Sequence, residues 1–170
     1  MSETTRISIA DATDLISDAL MASGASEAQA RPTAIALASA EAEGQVGHGF
    51  SRLEDYAAQV RSGKINRDAA ITVNALRPAS ILINADCGFA YPAIDRAISE
   101  LVPVAKEMGI AIAAVGNSHH CGALSLQVEK LANAGLIGLM FTNAPKAIAP
   151  WGSNQPLFGT NPIAFGVPRA

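Results

Sequence analysis

Aromatic and charged residues are scarce in this chain. Of its 170 residues only 5% are aromatic and 16% are charged, although 49% are hydrophobic and alanine is frequent. This composition favours helices packed on a sheet over an all-β sandwich. The 12 Lys and Arg residues are scattered and the formal net charge is −3. No basic face is visible, which argues against nucleic acid or an anionic membrane surface as a partner.

Cysteines and long apolar runs are also lacking. The two cysteines, Cys87 and Cys121, have no C-x-x-C spacing, which excludes a disulfide framework and fits a reducing cytoplasm. The first six residues are polar and carry no secretory signal, and no apolar run approaches the length of a membrane span. We therefore expect a soluble cytoplasmic domain, or half of something larger.

Hydrophobic periodicity divides the chain near residue 65. Residues 1–65 have a helical pattern, interrupted by the glycine-rich polar stretch 44–49, and Ser26 with Gln29 predicts a capping box at the second helix, whose regular part we place from Arg31. Residues 66–170 alternate strand and helix patterns. The predicted strands are 70–76, 80–84, 110–115, 136–142 and 163–166, and the predicted helices are 91–108 and 124–133.

This element order predicts an α/β fold, an N-terminal helical segment followed by a mixed, partly parallel sheet with crossover helices. The first two strands predict a hairpin or two neighbouring strands. From residue 91 onward, the order helix, strand, helix, strand implies a right-handed crossover and a partly parallel sheet. The last strand, 163–166, has nothing after it to pack on it. That predicts a fragment or a partner polypeptide.

A first candidate site lies in the glycine-rich break. His48-Gly49-x-x-Arg52 is followed by Tyr56, so that Arg52 and Tyr56 fall on one helix face with His48 at its mouth. Arginine binds a carboxylate through two charge-assisted hydrogen bonds, and histidine can supply or remove a proton. The alternative is a solvated arginine beside a loop histidine.

A second candidate site is the turn 115–123, which holds two of the three histidines, His119 and His120. Adjacent histidines without a third ligand disfavour a metal site, so we predict none. The turn precedes a helix whose first amides are unpaired, which favours a dinucleotide or phosphate. However, there is no G-x-G-x-x-G motif, and the strand ending at Asn143 has no acid for a ribose. Cys121 is a candidate nucleophile, but a small side chain that fills space in the turn is the favoured interpretation.

Four motifs together resemble the malate/L-lactate dehydrogenase family of the non-Rossmann type. They occur in order along nearly the whole chain, and they are Gly44-x-x-x-His48-Gly49-x-x-Arg52, Asn117-Ser118-x-His120-x-Gly122, Ala149-Pro150-Trp151-Gly152 and Gly159-Thr160-Asn161-Pro162-Ile163-Ala164. The resemblance implies a sulfolactate dehydrogenase-like fold, a homodimer, and hydride transfer from NADPH, or alternatively NADH, to C2 of a small 2-oxo or cyclic 2-imino carboxylate.

The resemblance also implies roles for individual residues. His48 would be the proton donor, with His120 as the alternative acid–base group. Arg52, with Tyr56 beside it, and Thr160 would bind the carboxylate substrate. The cofactor-binding residues would be His120, Cys121, Gly122, Ala123, Leu124 and Asn143. Segment 66–170 would then be the cofactor-binding segment, incomplete without a C-terminal half.

Two departures from the family pattern stand out. Gly47 occupies the position where the family usually has a serine that orients the catalytic histidine, and the chain is about half as long as the members. The missing half is expected as a separate or omitted polypeptide. A non-catalytic half-domain that binds a small molecule or a subunit is the alternative from another class.

Substrate choice within the family rests on two motifs. The paired His119-His120 and the run 156–162 resemble most the reductases of Δ1-pyrroline-2-carboxylate and Δ1-piperideine-2-carboxylate. The 2-hydroxy acid dehydrogenases of malate/lactate type come next.

Overall fold

The structure is a computed structural model that describes residues 5–169. The chain forms two compact units, Met1–Ala123 and Leu124–Ala170. The predicted division near residue 65 separates helical residues from strand-containing residues. The division at Ala123 separates two compact units, so it does not test the predicted one. The boundary near residue 65 stays a prediction.

The first unit begins with the expected helices. They are α1 (Ile9–Ala22), α2 (Glu27–Ala42) and α3 (Leu53–Arg61), with two short 3-10 turns, Val46–His48 and Phe50–Arg52, between α2 and α3. The Ser8 side chain accepts the backbone N–H of Asp11 and so caps α1. Ile16, Leu20 and Leu37 are fully buried where α1 packs on α2. The helical N-terminal segment with its glycine-rich break is confirmed.

The predicted capping box at α2 is wrong. Ser26 is the N-cap residue, but its side chain makes no capping hydrogen bond. Gln29 is 1% exposed, and its Oε1 instead accepts the backbone N–H of Phe89, 2.9 Å away, at the start of another helix. The capping box does not form because the Gln29 side chain instead satisfies the buried amide of Phe89, which would otherwise lack an acceptor. The helix also begins at Glu27, before the predicted Arg31, with Pro32 inside it.

A three-stranded mixed sheet completes the first unit. It contains β1 (Thr72–Arg77), β2 (Ser80–Asn84) and β3 (Ile112–Gly116), and α4 (Ala90–Met108) connects the last two. β1 and β2 form the predicted antiparallel hairpin, and β2 runs parallel to β3. The buried side chains Ile83, Ala85, Ala93 and Ala97, with Val115 packed against them, form the core between this sheet and α4.

The second unit contains α5 (Ser125–Asn133) and an antiparallel pair, β4 (Gly138–Phe141) and β5 (Ile163–Gly166). One face of the pair packs on α5, because glycines at 138 and 166 let the strands approach Leu131 and Val128. The mixed, partly parallel character of the fold is confirmed. Among the described residues the parallel crossover runs from β2 through α4 to β3, whereas β4, which follows α5, pairs antiparallel with β5.

Among residues 5–169, no helix combines the length and the apolar character that crossing a membrane requires.

Candidate active site

The loops that follow β2 and β3 lie side by side at the carboxyl ends of these parallel strands. The amide of Cys87 donates to the Asn117 carbonyl at 2.7 Å, and the amide of His119 donates to the Gly88 carbonyl at 3.0 Å. Positive φ angles at Asp86, Cys87 and Asn117 allow these tight paths. The first loop leads into Tyr91 on α4, and the second carries His119 and His120. This edge of a parallel sheet is where α/β proteins place ligands.

The glycine-rich break is held against α2 by Glu41. Its carboxylate accepts the backbone N–H of Phe50 at 2.8 Å. A Cβ added to Gly49 would lie 2.9 Å from Glu41 Cβ and 3.0 Å from Glu41 Cα, so this position tolerates only glycine. Arg52 Nε donates to the Gly47 carbonyl at 2.6 Å. These contacts fix the backbone on both sides of His48.

The two segments bring His48 and His120 together. Their ring centroids are 5.7 Å apart with an interplanar angle of 36°. Arg52 is held beside His48, since its Nε donates to the carbonyl of the adjacent Gly47, and its charge acts on both Tyr56 and His120. The structure thus places in one cluster the proton donor, the alternative acid–base group and the carboxylate-binding arginine expected from the sequence.

Tyr56 lies behind His120 rather than beside it. It is 2% exposed, and its hydroxyl lies 2.8 Å from His120 Nδ1 and 3.1 Å from the Tyr91 hydroxyl. Burial raises the pKa of Tyr56 to about 12, against smaller opposing effects of the Tyr91 hydrogen bond and of Arg52. Burial first, and then Tyr56, also raise the pKa of Tyr91. Both hydroxyls therefore keep their protons at neutral pH. A direct contact of Tyr56 with substrate stays a prediction.

The adjacent His119 forms its side-chain hydrogen bond within the protein. Its Nε2 lies 2.5 Å from Gln59 Oε1, so Nε2 carries the proton and donates it. Its Nδ1 is buried with no hydrogen-bond partner among the described residues. Burial first, and then the charges of His120 and Lys64, lower the pKa of His119 to about 4. His119 is thus a neutral structural residue next to the exposed His120.

The pKa of His120 is lowered as well. Partial desolvation of the ring is the largest cause, followed by the positive charges of Arg52 and His48. Burial and nearby positive charge both disfavour the charged form of a histidine. His120 is therefore neutral at neutral pH.

A family model for malate/L-lactate dehydrogenase matches residues 7–170. The chain belongs to this family. A (2R)-3-sulfolactate dehydrogenase (NADP(+)) of Chromohalobacter salexigens is 46% identical over 163 residues, which are 96% of this chain and 49% of that protein. A Δ1-pyrroline-2-carboxylate reductase of Ancylobacter novellus is 39% identical over 168 residues, which are 99% of this chain and 49% of that protein.

A solved structure shows the same family likeness in three dimensions. The Δ1-piperideine-2-carboxylate reductase of Pseudomonas syringae pv. tomato superposes with a TM-score of 0.93 at 38% identity, over 98% of this chain and 50% of that one. The chain therefore spans about half the length of the relatives it matches. The malate/L-lactate dehydrogenase family comprises NAD(P)-dependent enzymes: the sulfolactate dehydrogenase uses NADP(+), and a ureidoglycolate dehydrogenase of Escherichia coli O157:H7 uses NAD(+).

Residues 121–123 fit the uncharged part of such a cofactor. Cys121, Gly122 and Ala123 are small and buried, and no charged side chain lies among them. Gly122 has a φ of +65°, and a Cβ there would collide with the Tyr91 hydroxyl, so the turn requires glycine at this position. A small, uncharged surface beside the neutral His120 suits a nicotinamide ring better than phosphate groups.

Three other predicted residues of this family site lie in the second unit. Leu124 is buried immediately before α5, whereas Asn143 and Thr160 are exposed. The segments carrying the last two are neighbours, because Asn161 Oδ1 accepts the amide of Ala144 at 2.9 Å. Their contacts with substrate or cofactor stay predictions.

Sequence reasoning missed three residues that build the cluster. Glu41 and Gln59 lie on helical segments with no local motif, and Tyr91 was read only as the start of a helix. Their roles depend on contacts between distant segments, which spacing along the chain cannot show. Among the described residues, no group of three or more His, Cys, Asp or Glu side chains could hold a metal ion.

Proposed function

We propose that the complete protein transfers a hydride between NAD(P)H and C2 of a small 2-oxo or 2-imino carboxylate. The observation that carries this proposal is the pair of histidine rings, His48 and His120, 5.7 Å apart, in one cluster with Arg52. Such a reaction needs one group that binds the carboxylate and one that provides a proton, and the cluster contains both types.

Arg52 is proposed to bind the substrate carboxylate. Its Nε is used on the Gly47 carbonyl, which holds the guanidinium plane, and it forms no ion pair with any residue in the described range 5–169. The terminal nitrogens can therefore bind a carboxylate in two-point fashion. This fixes C2, the neighbouring carbon, relative to the histidines.

His48 is proposed to supply the proton. Hydride addition at C2 leaves negative charge on the carbonyl oxygen, or a basic lone pair on the former imine nitrogen, and either takes one proton from a nearby acid. His48 sits in the 3-10 turn Val46–His48, where Glu41 and the Gly47 carbonyl fix the chain on both sides. The bound reduced nicotinamide supplies the hydride itself.

We assign the nicotinamide to the small turn residues Cys121, Gly122 and Ala123, with Leu124 and Asn143 as further cofactor-binding residues and Thr160 at the substrate. NADPH is the preferred cofactor, since the sulfolactate dehydrogenase relative uses NADP(+). NADH is the alternative.

Cyclic 2-imino carboxylates are the first substrate candidates. The His119-His120 pair and the run 156–162 support Δ1-pyrroline-2-carboxylate and Δ1-piperideine-2-carboxylate, and the reductase from Pseudomonas syringae has a TM-score of 0.93. A specific observation favours a second candidate, a 2-hydroxy acid of the sulfolactate type, because that relative is 46% identical. We further propose that the complete protein is a homodimer that includes the second half found in the relatives.

The test is NADPH oxidation by the complete protein with each cyclic imine, 3-sulfopyruvate and oxaloacetate as separate substrates. We expect the highest kcat/KM with a cyclic imine. A higher value for 3-sulfopyruvate would transfer the assignment to the second candidate. No turnover with any substrate, together with no thermal shift by NADPH or NADH, would favour a non-catalytic binding protein and overturn the proposal.

A further inference from the structure

One nitrogen of the His120 ring is enclosed by protein groups and the other is not. Nδ1 lies 2.8 Å from the Tyr56 hydroxyl and 3.3 Å from the backbone nitrogen of Gly122. Nε2 has no hydrogen-bond partner in the part of the chain that the structure describes. The residue as a whole is exposed. The two nitrogens are therefore placed for different tasks.

The Gly122 amide decides which nitrogen carries the proton. A tyrosine hydroxyl can donate or accept, so the contact with Tyr56 alone leaves the tautomer of His120 open. A backbone N–H can only donate, and it points at Nδ1. Nδ1 must then present its lone pair, which leaves the proton of the neutral ring on Nε2.

The two tyrosines complete a hydrogen-bond chain with one direction. With Nδ1 as acceptor, Tyr56 donates to His120, and the Tyr56 oxygen is left to accept from the Tyr91 hydroxyl at 3.1 Å. Both tyrosines are buried and hold their protons, so each can donate. The close approach of Gly122 to Tyr91 closes the cluster, because a side chain at 122 would displace that hydroxyl.

We propose that Tyr56 and Tyr91 are positioning residues that hold His120 as a neutral Nε2–H imidazole facing the substrate position. This inference rests on the proposed function and divides the work between the two histidines. A neutral imidazole is a weak acid, so Nε2–H stabilises the developing charge on the substrate oxygen or nitrogen by a hydrogen bond. The full proton then comes from His48. Tyr56 thereby acts through His120 rather than on substrate.

The titratable and charged groups around His120 come from every adjoining segment. His48 and Arg52 face it from the glycine-rich break, and Tyr56 from α3, with Tyr91 behind Tyr56 on α4. His119 precedes it and Cys121 follows it in its own turn. Tyr56 forms a side-chain hydrogen bond with Nδ1 of the ring. Substituting Tyr56 therefore changes the state of Nδ1 without removing a charge.

The experiment is ¹⁵N NMR of the histidine side chains in the complete protein without substrate. In the unchanged protein we expect a pyridine-like Nδ1 signal and a pyrrole-like Nε2 signal for His120. Tyr56→Phe should raise the pKa of His120, because Nδ1 loses its main donor, and should lower kcat roughly three- to tenfold with KM unchanged. Tyr91→Phe should give a smaller change in the same direction, since the Tyr56 hydroxyl remains.

Thr33→Val is the matched control for loss of a buried hydroxyl. Thr33 is 0% exposed and donates to the Gln29 carbonyl at 2.7 Å, away from His120. It should leave the His120 signals and their titration unchanged. A proton on Nδ1 in the unchanged protein, or the same His120 titration in Tyr56→Phe, would overturn the positioning role. The expected NMR result with no turnover of any substrate would instead overturn the proposed function alone.

Discussion

His119 and His120 show, at the scale of single residues, how surroundings give two identical side chains different chemistry. Nε2 of His119 donates to Gln59 Oε1, and its buried Nδ1 has no hydrogen-bond partner among the described residues. Nδ1 of His120 instead accepts from Tyr56, and its Nε2 remains available to a ligand. The sequence showed only that two histidines are adjacent. It could not show which of the two would be the less exposed, because Gln59 and Tyr56 contact them across about sixty residues of chain.

The half-buried His119 makes the stability of the fold depend on pH. Its folded pKa, about 4, is below the value of about 6.5 for an unfolded chain, so the unfolded state binds more protons between these values. The stability that the neutral ring contributes is therefore complete above pH 6.5 and is lost as the pH drops towards 4. Urea unfolding of the complete protein at pH 7.5 and 5 measures this loss, and His119→Gln should reduce it.

Thr13→Val provides the control for that experiment. Thr13 is 5% exposed and its hydroxyl donates to the Ile9 carbonyl at 2.8 Å, but it does not titrate in this range. Its substitution should lower stability about equally at both pH values. If His119→Gln and Thr13→Val showed the same pH dependence as the unchanged protein, His119 would not be the residue that takes up the proton.

The kinetic parameters should separate Arg52 from His48. Arg52→Lys keeps the charge but loses the two-point geometry, so KM for the carboxylate should rise roughly tenfold or more while kcat changes little. His48→Ala removes the proposed proton donor and should therefore lower kcat by a factor on the order of 10² to 10⁴. Arg61→Lys, at the end of the following helix α3, is the matched control, since Arg61 is exposed and donates to Ser23. Unchanged kinetics in both site variants would move the chemistry elsewhere.

At the scale of elements, the glycine-rich break depends on one glycine more than on its neighbours. Gly49→Ala forces a Cβ against the Glu41 backbone and should cost about 1 to 3 kcal/mol and shift His48. Gly47→Ser, which restores the residue usual in the family, meets open space and should be tolerated. The melting temperature and kcat of both variants measure the difference. An equally damaging Gly47→Ser would show that flexibility of the whole break matters rather than the contact at Gly49.

Element prediction from the sequence succeeded where the signal was local. The long amphipathic α4, the β1–β2 hairpin and β5 all carry their hydrophobic period within their own residues. It failed at Ser26 and Gln29, where the motif for a capping box was present but Phe89 took the Gln29 oxygen. The pairing partner of each strand could not be predicted from the strand itself, because β4 follows α5 yet pairs antiparallel with β5.

On the scale of the whole molecule, β4 and β5 leave one apolar face uncovered. The cross-strand pairs Leu139–Phe165 and Phe141–Ile163 are all more than half exposed, while the opposite face packs on α5. Exposed apolar patches of this kind mark interaction surfaces. The relatives are about twice as long as this chain, so a second half of the protein is available in them to cover such a face.

Production of residues 1–170 alone should therefore give a polypeptide that self-associates as concentration rises. Leu139→Lys places a charge in the middle of the uncovered face and should reduce the association. Ser153→Lys adds the same charge at an exposed polar position of the same unit and should not. Sedimentation velocity at several concentrations gives the comparison. Equal association of the two variants would show that contacts other than this face hold the copies together.

The long-range hydrogen bonds around His119 and His120 also affect the expected folding kinetics. Gln29 and Phe89 are 60 positions apart, as are Gln59 and His119, and Tyr56 and His120 are 64 apart. Contacts between residues so far apart in sequence form only after long loops have closed. Each closure costs conformational entropy before the hydrogen bond contributes favourable energy. The environment of the two histidines should therefore be among the last features to appear during refolding, after the helices and the hairpin have formed.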